Sequence, residues 1–371
     1  MILSSLSLQN FRNFKKKKLE FSPAITIIVA PNTFGKTNIL EAIYLLATGK
    51  SFRADLEKEV IMYGGEIGRI TGVVLNERLI TQKTQNITES TELEVLVTTG
   101  QVGGKKAPKK KFLVNGVSKR STNFIGNFLA VLFSPQDLQL ITDSPSLRRK
   151  YLSTVLSSVD KQYRTALLIY EKALRQRNKV LERIREKQVS LSQLDYWDKL
   201  LIDNGQIITK KREEFIDFIN QQDFAEKNIN DFKIIYEKNE ISEKKLVERR
   251  EKEIVLGVTL VGPHRDDIKF NIKYQISNIK NEEKDLSIFG SRGEQRLAVL
   301  WLKLGELAFL EEKTSHKPVL LLDDIFSELD ADHRDLVTKI IPNQQTIITT
   351  TEKGVVKGKF LKEAKTIKLE I

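Results

Sequence analysis

The sequence predicts an α/β chain: a mixed sheet with flanking helices, an antiparallel β subdomain, and an inserted helical lobe. Three observations predict it. An almost wholly apolar, β-branched run, AITIIVA (24–30), passes through a short loop into KTNILEAIYLLATG, whose apolar residues are spaced for a helix. Alternating runs such as RITGVVL and LEVLVTT fall between residues 56 and about 133. From Ser144 to about Gln222 the pattern is helical and densely charged.

In order, ILSSLSLQNF reads as a first strand and AITIIVA as one buried on both faces, as in an α/β core. Ile39, Leu40, Ile43, Leu46 and Ala47 mark one face of the next helix, which Gly49 is placed to end. Asn115-Gly116 in KFLVNGVSKR is a hairpin signal, and GQVGGKKAPKKK reads as a mobile loop. The charged stretch suggests about three helices, broken near 188–192 and at Gly205. No heptad persists long enough for a coiled coil, so a compact lobe is expected rather than an arm. Strand and helix alternate again from about 254. The expected division is 1–145 and 246–371 for the two parts of the α/β lobe, with 146–245 as the helical insertion.

Bulk properties narrow the function. A 371-residue chain suits two or three lobes, and no apolar run nears the roughly 18 to 20 residues that span a bilayer. With no signal-peptide pattern at the start, a cytoplasmic protein without membrane contact is expected. Zero cysteines exclude disulfides, thiolate metal sites and cysteine nucleophiles, and three histidines leave little for an imidazole cluster, so any metal must take oxygen ligands. The net charge of +12 favours a polyanionic partner. Basic residues cluster at Lys15 to Lys18, at Lys105, Lys106, Lys109, Lys110 and Lys111, at Arg148, Arg149 and Lys150, and at Arg175 and Arg177. Each cluster alone reads as a solvated face; if the polyanion is nucleic acid rather than an anionic membrane surface, Lys105, Lys106, Lys109, Lys110, Lys111, Arg148 and Arg149 are the candidate contacts.

Three motifs carry chemistry. VAPNTFGKTN (29–38) has the form of a phosphate-binding loop that lacks most of its glycines. In PVLLLDDIFSELDADHR, an apolar strand runs into Asp323 and Asp324, placing two carboxylates at the edge where α/β sheets bind ligands. In FGSRGEQRLAVLWLKLGELAFLEEK, Leu297, Leu300, Trp301, Leu304, Leu307 and Ala308 mark one face of a long helix. Ser291, Arg292 and Gly293 sit at its start, where free amides and the dipole suit a phosphate. GPHRDD groups His264, Asp266 and Asp267, but adjacent acids do not converge on one ion, so a turn with Arg265 paired to a carboxylate is expected.

Phosphate loop, helix-start Ser-x-Gly and apolar-Asp-Asp, in that order, form the ABC-type ATPase arrangement. The chain resembles the RecF family of SMC-like recombination mediators along nearly its whole length. The resemblance rests on LQNFRNF, GKTNILEAIYLLATGKSFR, LFSPQDLQLITDSPSLRRKYL, LRQRN, GPHRDD, FGSRGEQR and LLLDDIFSELD. It implies an ABC-type ATPase head that binds ATP and Mg²⁺. Ala30, Pro31, Asn32, Thr33, Phe34, Gly35, Lys36, Thr37 and Asn38 then form the nucleotide loop, with Lys36 on the β- and γ-phosphates and Thr37 on the metal. Asp323 supports the metal, Asp324 positions the hydrolytic water, and Gln136 is a further candidate near the metal. Ser291 and Gly293 cap the γ-phosphate of a nucleotide held by the opposite subunit, Arg292 and Gln295 are further nucleotide-binding residues, and Asp330 falls at the D-loop on that dimer interface. Many ABC-type ATPases carry a switch histidine beyond the D-loop; here TIITTTEK offers Thr349 to Thr351.

The function implied is an ATP-dependent homodimer that holds double-stranded or gapped DNA, associates with the nucleoid, and loads RecA with RecR and RecO. Slow, DNA-stimulated ATP hydrolysis then releases it. A binding module without hydrolysis is the alternative, motivated by Ala30 and Thr33 at the loop's usual glycine positions. A related nuclease is disfavoured, because no appended acidic metal domain remains. If Thr33 must adopt a left-handed backbone, its β-branch costs about 1–2 kcal/mol.

Overall fold

Strict alternation of covered and open positions in Ile67–Leu75 and Ser90–Thr98 gives each strand one apolar face, and those faces set the layering of the first unit. A computed structural model of the protein describes residues 1–75, 90–224, 231–274, 282–328, 331–352, 354, 362 and 364–369. The chain forms two units, Met1–Asp137 with Glu306–Ile371, and Leu138–Gly305. No described helix is long and apolar enough to cross a membrane.

The first unit holds two sheets. One is antiparallel, in the order Phe14–Glu20, Ile2–Phe11, Ile67–Leu75, Ser90–Thr98, Lys110–Val114, Val117–Lys119. The other is parallel, in the order Ala130–Phe133, Val319–Asp323, Thr346–Thr350, Ile25–Val29, Lys365–Lys368. The helix Lys36–Thr48 shares one core with both: Ile39, Leu40 and Ile43 pack with Leu3, Leu6 and Leu8 of the first sheet and with Ile28, Leu321 and Ile347 of the second. ILSSLSLQNF therefore belongs to the antiparallel sheet, while AITIIVA lies inside the parallel one. The Lys15–Lys18 run sits on an edge strand, where lysines keep another chain from pairing.

Asn115 and Gly116, at φ 50° and 75°, make the two-residue turn that joins Val114 to Val117. The segment read as a mobile loop is ordered otherwise: Gln101–Val102 pairs with Lys105–Lys106, and Lys110–Val114 is a strand of the main sheet.

The second unit extends beyond the expected 146–245. It contains the helices Pro145–Val159, Lys161–Arg185, Asp195–Asn220 and Glu243–Leu256, and an antiparallel sheet of Phe232–Glu237, Asp267–Tyr274 and Glu282–Asp285. Gly205 does not break a helix. It lies within Asp195–Asn220, where a Cβ would stand 2.7 Å from Ile241 and 3.1 Å from Tyr170, so the glycine admits a close approach. The helix Arg292–Thr314 is not amphipathic as read. Ala298, Val299, Leu300, Trp301 and Leu302 are consecutive and all buried, so neighbours cover every face.

Several basic residues assigned to solvated faces hold this unit together. Arg177 is fully buried, with Nε 2.5 Å from Asp198, and 2.8 Å separates its guanidinium from the buried Glu253. Arg148 forks onto Asp267 at 2.7 and 2.8 Å. Asp266, buried, accepts from Arg212, from the Asn239 amide at 2.7 Å and from the Tyr236 hydroxyl. GPHRDD is thus a structural turn, but Arg265 donates to the Thr259 carbonyl at 3.2 Å, and the two acids are paired by Arg212 and Arg148. Removing one member of such a buried cluster leaves the others uncompensated. Arg177→Met is expected to cost roughly 3–5 kcal/mol in urea unfolding; a loss below about 1 kcal/mol would show that Asp198 and Glu253 are not held as ions by Arg177.

Candidate nucleotide and metal site

Three neighbouring parallel strands, Val319–Asp323, Thr346–Thr350 and Ile25–Val29, end at one sheet edge. The loop after Ile25–Val29 and the carboxylates at the end of Val319–Asp323 therefore flank the strand that carries Thr349 and Thr350. Ala30, buried, donates its amide to the Thr350 carbonyl at 3.3 Å and ties the loop's first residue to that strand.

Pro31, Asn32 and Thr33 are exposed. Thr33 has φ 75°, the left-handed backbone that strains a β-branched residue. Gly35, at φ 89°, allows something more specific: a Cβ there would stand 2.7 Å from Asn13 and from the Phe14 ring. The turn in LQNFRNF thus packs on the loop itself. Phe34 adds a partly buried ring to the shared core.

Lys36 and Thr37 open the following helix, so loop amides and the helix N-terminus are presented together, as a phosphate requires. The Lys36 ammonium lies 2.5 Å from the Ala30 carbonyl and 3.4 Å from Asn32 Oδ1. Burial pushes it below the ordinary lysine range, against the opposing pull of Asp324 and Asp323. Asn38 lies beside the loop, donating to Asn13 and accepting from Arg53, both at 2.9 Å.

The Thr37 hydroxyl donates to Asp323 Oδ1 at 3.0 Å, and that of Thr349 to the same oxygen at 2.7 Å. Asp323 is 6% exposed, and burial raises its pKa while the two hydroxyls and Arg53 lower it and Asp324 adds a further upward push. Asp324 leaves the strand at φ 50°, its amide held by the Thr349 carbonyl at 3.2 Å. One hydroxyl and one carboxylate meeting beside a phosphate-type loop make a hard, oxygen-only donor set. It suits Mg²⁺ bound with few protein ligands, and no cluster of three or more His, Asp or Glu among the described residues competes. Gln136 lies exposed in the turn after Ala130–Phe133, the strand next to that of Asp323.

At the start of Arg292–Thr314, the Ser291 amide donates to Glu294 at 2.7 Å and the Glu294 amide to Ser291 Oγ at 3.3 Å, a capping box. Ser291 and Arg292 are exposed, and a Cβ at Gly293 would meet only Ser291 Oγ, at 3.9 Å. Gln295 differs from expectation. It is buried and donates to the Leu286 carbonyl at 3.1 Å, so it points into its own unit. Asp330 lies outside the described residues.

The candidate DNA contacts divide. Lys105, Lys106, Lys109 and Lys111 are exposed. Lys110 is paired with Glu57 and donates to the Gly49 carbonyl at 2.9 Å. Arg148 is buried on Asp267, and Arg149 donates to the Asp266 carbonyl at 2.8 Å. Those three are taken up by internal partners and leave the set.

The RecF/RecN/SMC N terminal domain family matches residues 2–368. The chain belongs to this family. Among its relatives, the DNA replication and repair protein RecF of Lachnoclostridium phytofermentans is 37% identical over 95% of this chain and 93% of its own length. That of Caldanaerobacter subterraneus is 35% identical, covering 96% of each. Two solved structures of the recombination mediator protein RecF of the RecFOR pathway, in RecF-ATP and RecF-ATPrS forms, superpose with TM-scores of 0.83 and 0.81 at 33% identity. Each covers 96% of this chain and 94% of the other.

In this RecF-family chain the helix after the loop is braced by side chains to which the sequence motifs give no role. Arg12 forks onto the fully buried Glu41 at 2.8 and 2.6 Å, and Ser51 donates to Glu41 at 2.5 Å. Their signal was present in LQNFRNF and SFR, but the partner carboxylate sits inside an ordinary helical pattern.

The raised Asp323 pKa has a definite sign. The folded state keeps the proton to higher pH than the unfolded chain, so this stabilising contribution is present below the ordinary carboxylate range and lost as pH rises through the raised value. Asp323→Asn retains an acceptor for both threonines and does not titrate. Its thermal midpoint relative to wild type, without nucleotide, should therefore rise from pH 4 to pH 8; a flat or falling difference would contradict the burial cost.

Proposed function

We propose that the protein is an ATP-controlled DNA clamp of the RecF type. The observation that carries the reading is the meeting of Thr37 with Asp323 at 3.0 Å, near enough to Lys36 that Asp324 and Asp323 both act on its charge. In this reading Lys36 leaves the Ala30 carbonyl for the β- and γ-phosphates of ATP, and the loop amides and helix N-terminus take up the remaining phosphate charge. Thr37 and Asp323 hold Mg²⁺, which when bound neutralises charge on the phosphates. Asp324 orients water for attack on the γ-phosphorus, with ADP as the leaving group. The exposed Ser291 and Arg292 and the half-buried Gly293 of a second subunit close over the γ-phosphate, so ATP joins two copies and hydrolysis parts them.

DNA is held by phosphate contacts from Lys105, Lys106, Lys109 and Lys111 within a chain of net charge +12. RecR and RecO are the proposed partners in loading RecA at gaps. The family membership and the RecFOR context of the solved relatives support this reading. Thr33 favours a second one, a nucleotide-dependent binder with little turnover, since its left-handed backbone strains the loop by about 1–2 kcal/mol.

Light scattering and ATP turnover, measured with gapped DNA for wild type, Lys36→Ala and Asp324→Asn, test the proposal. Wild type should dimerise on ATP and turn it over slowly, Lys36→Ala should do neither, and Asp324→Asn should stay as an ATP-trapped dimer on DNA. A wild type that neither binds ATP nor dimerises ends the clamp reading; a wild type that dimerises without turnover selects the second. Separately, since the strain is present without nucleotide, Thr33→Gly should raise stability in urea by up to about 1–2 kcal/mol; unchanged or lower stability would place the strain elsewhere.

A further inference from the structure

Thr349 lies on the strand between the loop strand and the Asp-Asp strand, and it is fully buried. Its single hydroxyl stands 2.7 Å from Asp323 Oδ1, 3.1 Å from the Asp324 amide and 3.3 Å from the Leu322 carbonyl. Its own carbonyl accepts the Asp324 amide at 3.2 Å. A hydroxyl has one proton and two lone pairs, so it can donate to the nearer carboxylate while accepting from the amide of the next residue.

Two consequences follow for the sheet edge. Thr349 and Thr37 both donate to Asp323 Oδ1, so two hydroxyls from different elements constrain the orientation of that carboxylate. Asp324, meanwhile, is gripped by its amide in a left-handed backbone at φ 50°, a conformation that redirects the side chain from the course a continuing strand would give it. One side chain thus controls the aim of both acids, from a strand that contributes neither.

We propose that Thr349 is the positioning residue of the site: through Asp323 it sets the metal-holding geometry, and through the Asp324 amide it sets the carboxylate that orients water. The inference rests on the ATPase reading above. It gives a role to the threonine segment that stands where many ABC-type ATPases carry a switch histidine. A buried strand threonine could also serve packing alone, through its methyl and its contact with the Leu322 carbonyl; the test separates the two.

Full-length wild type, Thr349→Val, Thr349→Ala and Thr349→Ser are compared in three measurements. These are kcat and KM for ATP at saturating Mg²⁺, the Mg²⁺ concentration for half-maximal binding of a fluorescent ATP analogue, and the thermal midpoint. Loss of the hydroxyl should lower kcat about 10- to 100-fold with KM within about threefold, and should raise the Mg²⁺ half-point about tenfold. Thr349→Ser should restore both to within about threefold of wild type. Thr349→Val keeps the shape, and Thr349→Ala supplies a second hydroxyl-free variant if Val fails to fold. Wild-type kcat and Mg²⁺ half-point in a folded hydroxyl-free variant overturn the inference, as does a loss that serine does not restore. If wild type binds the analogue without turning ATP over, hydrolysis is excluded and the Mg²⁺ half-point alone decides the role of Thr349. If wild type binds no nucleotide, the ATPase reading and this inference fall together.

Discussion

A carboxylate that must stay usable inside a protein needs partners, and Asp323 has them from two directions. It closes an apolar strand at 6% exposure, where burial favours the neutral acid, and hydroxyls from Thr37 and Thr349 favour the charged form. One donor comes from the first turn of the loop helix and the other from the neighbouring strand. Satisfying this single oxygen therefore requires the parallel sheet in its observed order and the helix in its observed place. The core shared by Lys36–Thr48 and the two sheets keeps that helix there, with Glu41 anchored by Arg12 and Ser51.

Strain is present at the same edge. Thr33 and Asp324 are both non-glycine residues with positive φ, one in the loop and one after the carboxylate strand. Aspartate tolerates this backbone better than a β-branched threonine does. A packed scaffold can hold such residues because its stability comes from elsewhere, here from the apolar core that the loop helix shares with both sheets.

The second unit follows a different rule. Its interior carries charges in matched sets: Arg177 with Asp198 and Glu253, Arg212 with Asp266, Arg148 with Asp267. Such sets add little net stability over an apolar core, but each member is costly to lose alone. They also mean that net positive charge is not a map of a nucleic-acid surface. Arg148 and Arg177 are structural, whereas Lys105 and Lys106 are open to solvent.

By itself the sequence determined the elements with strong local signals. A β-branched run ending in a loop and helix, an Asn-Gly hairpin, and an apolar strand ending in two acids each carry their physics within a few residues. Left-handed strain at Thr33 was legible for the same reason, since a glycine-requiring position can be read one residue at a time. Only the tertiary structure decided what depends on partners distant in the chain. Gly205 resembles a helix breaker until Ile241 and Tyr170 are seen against it, and Gln295 resembles a ligand until it is found bonded to Leu286. Thr349 is an ordinary strand residue until pairing sets it beside Asp323, which lies 26 positions away in sequence. Local pattern fixes which groups are present; strand order and burial fix which of them meet.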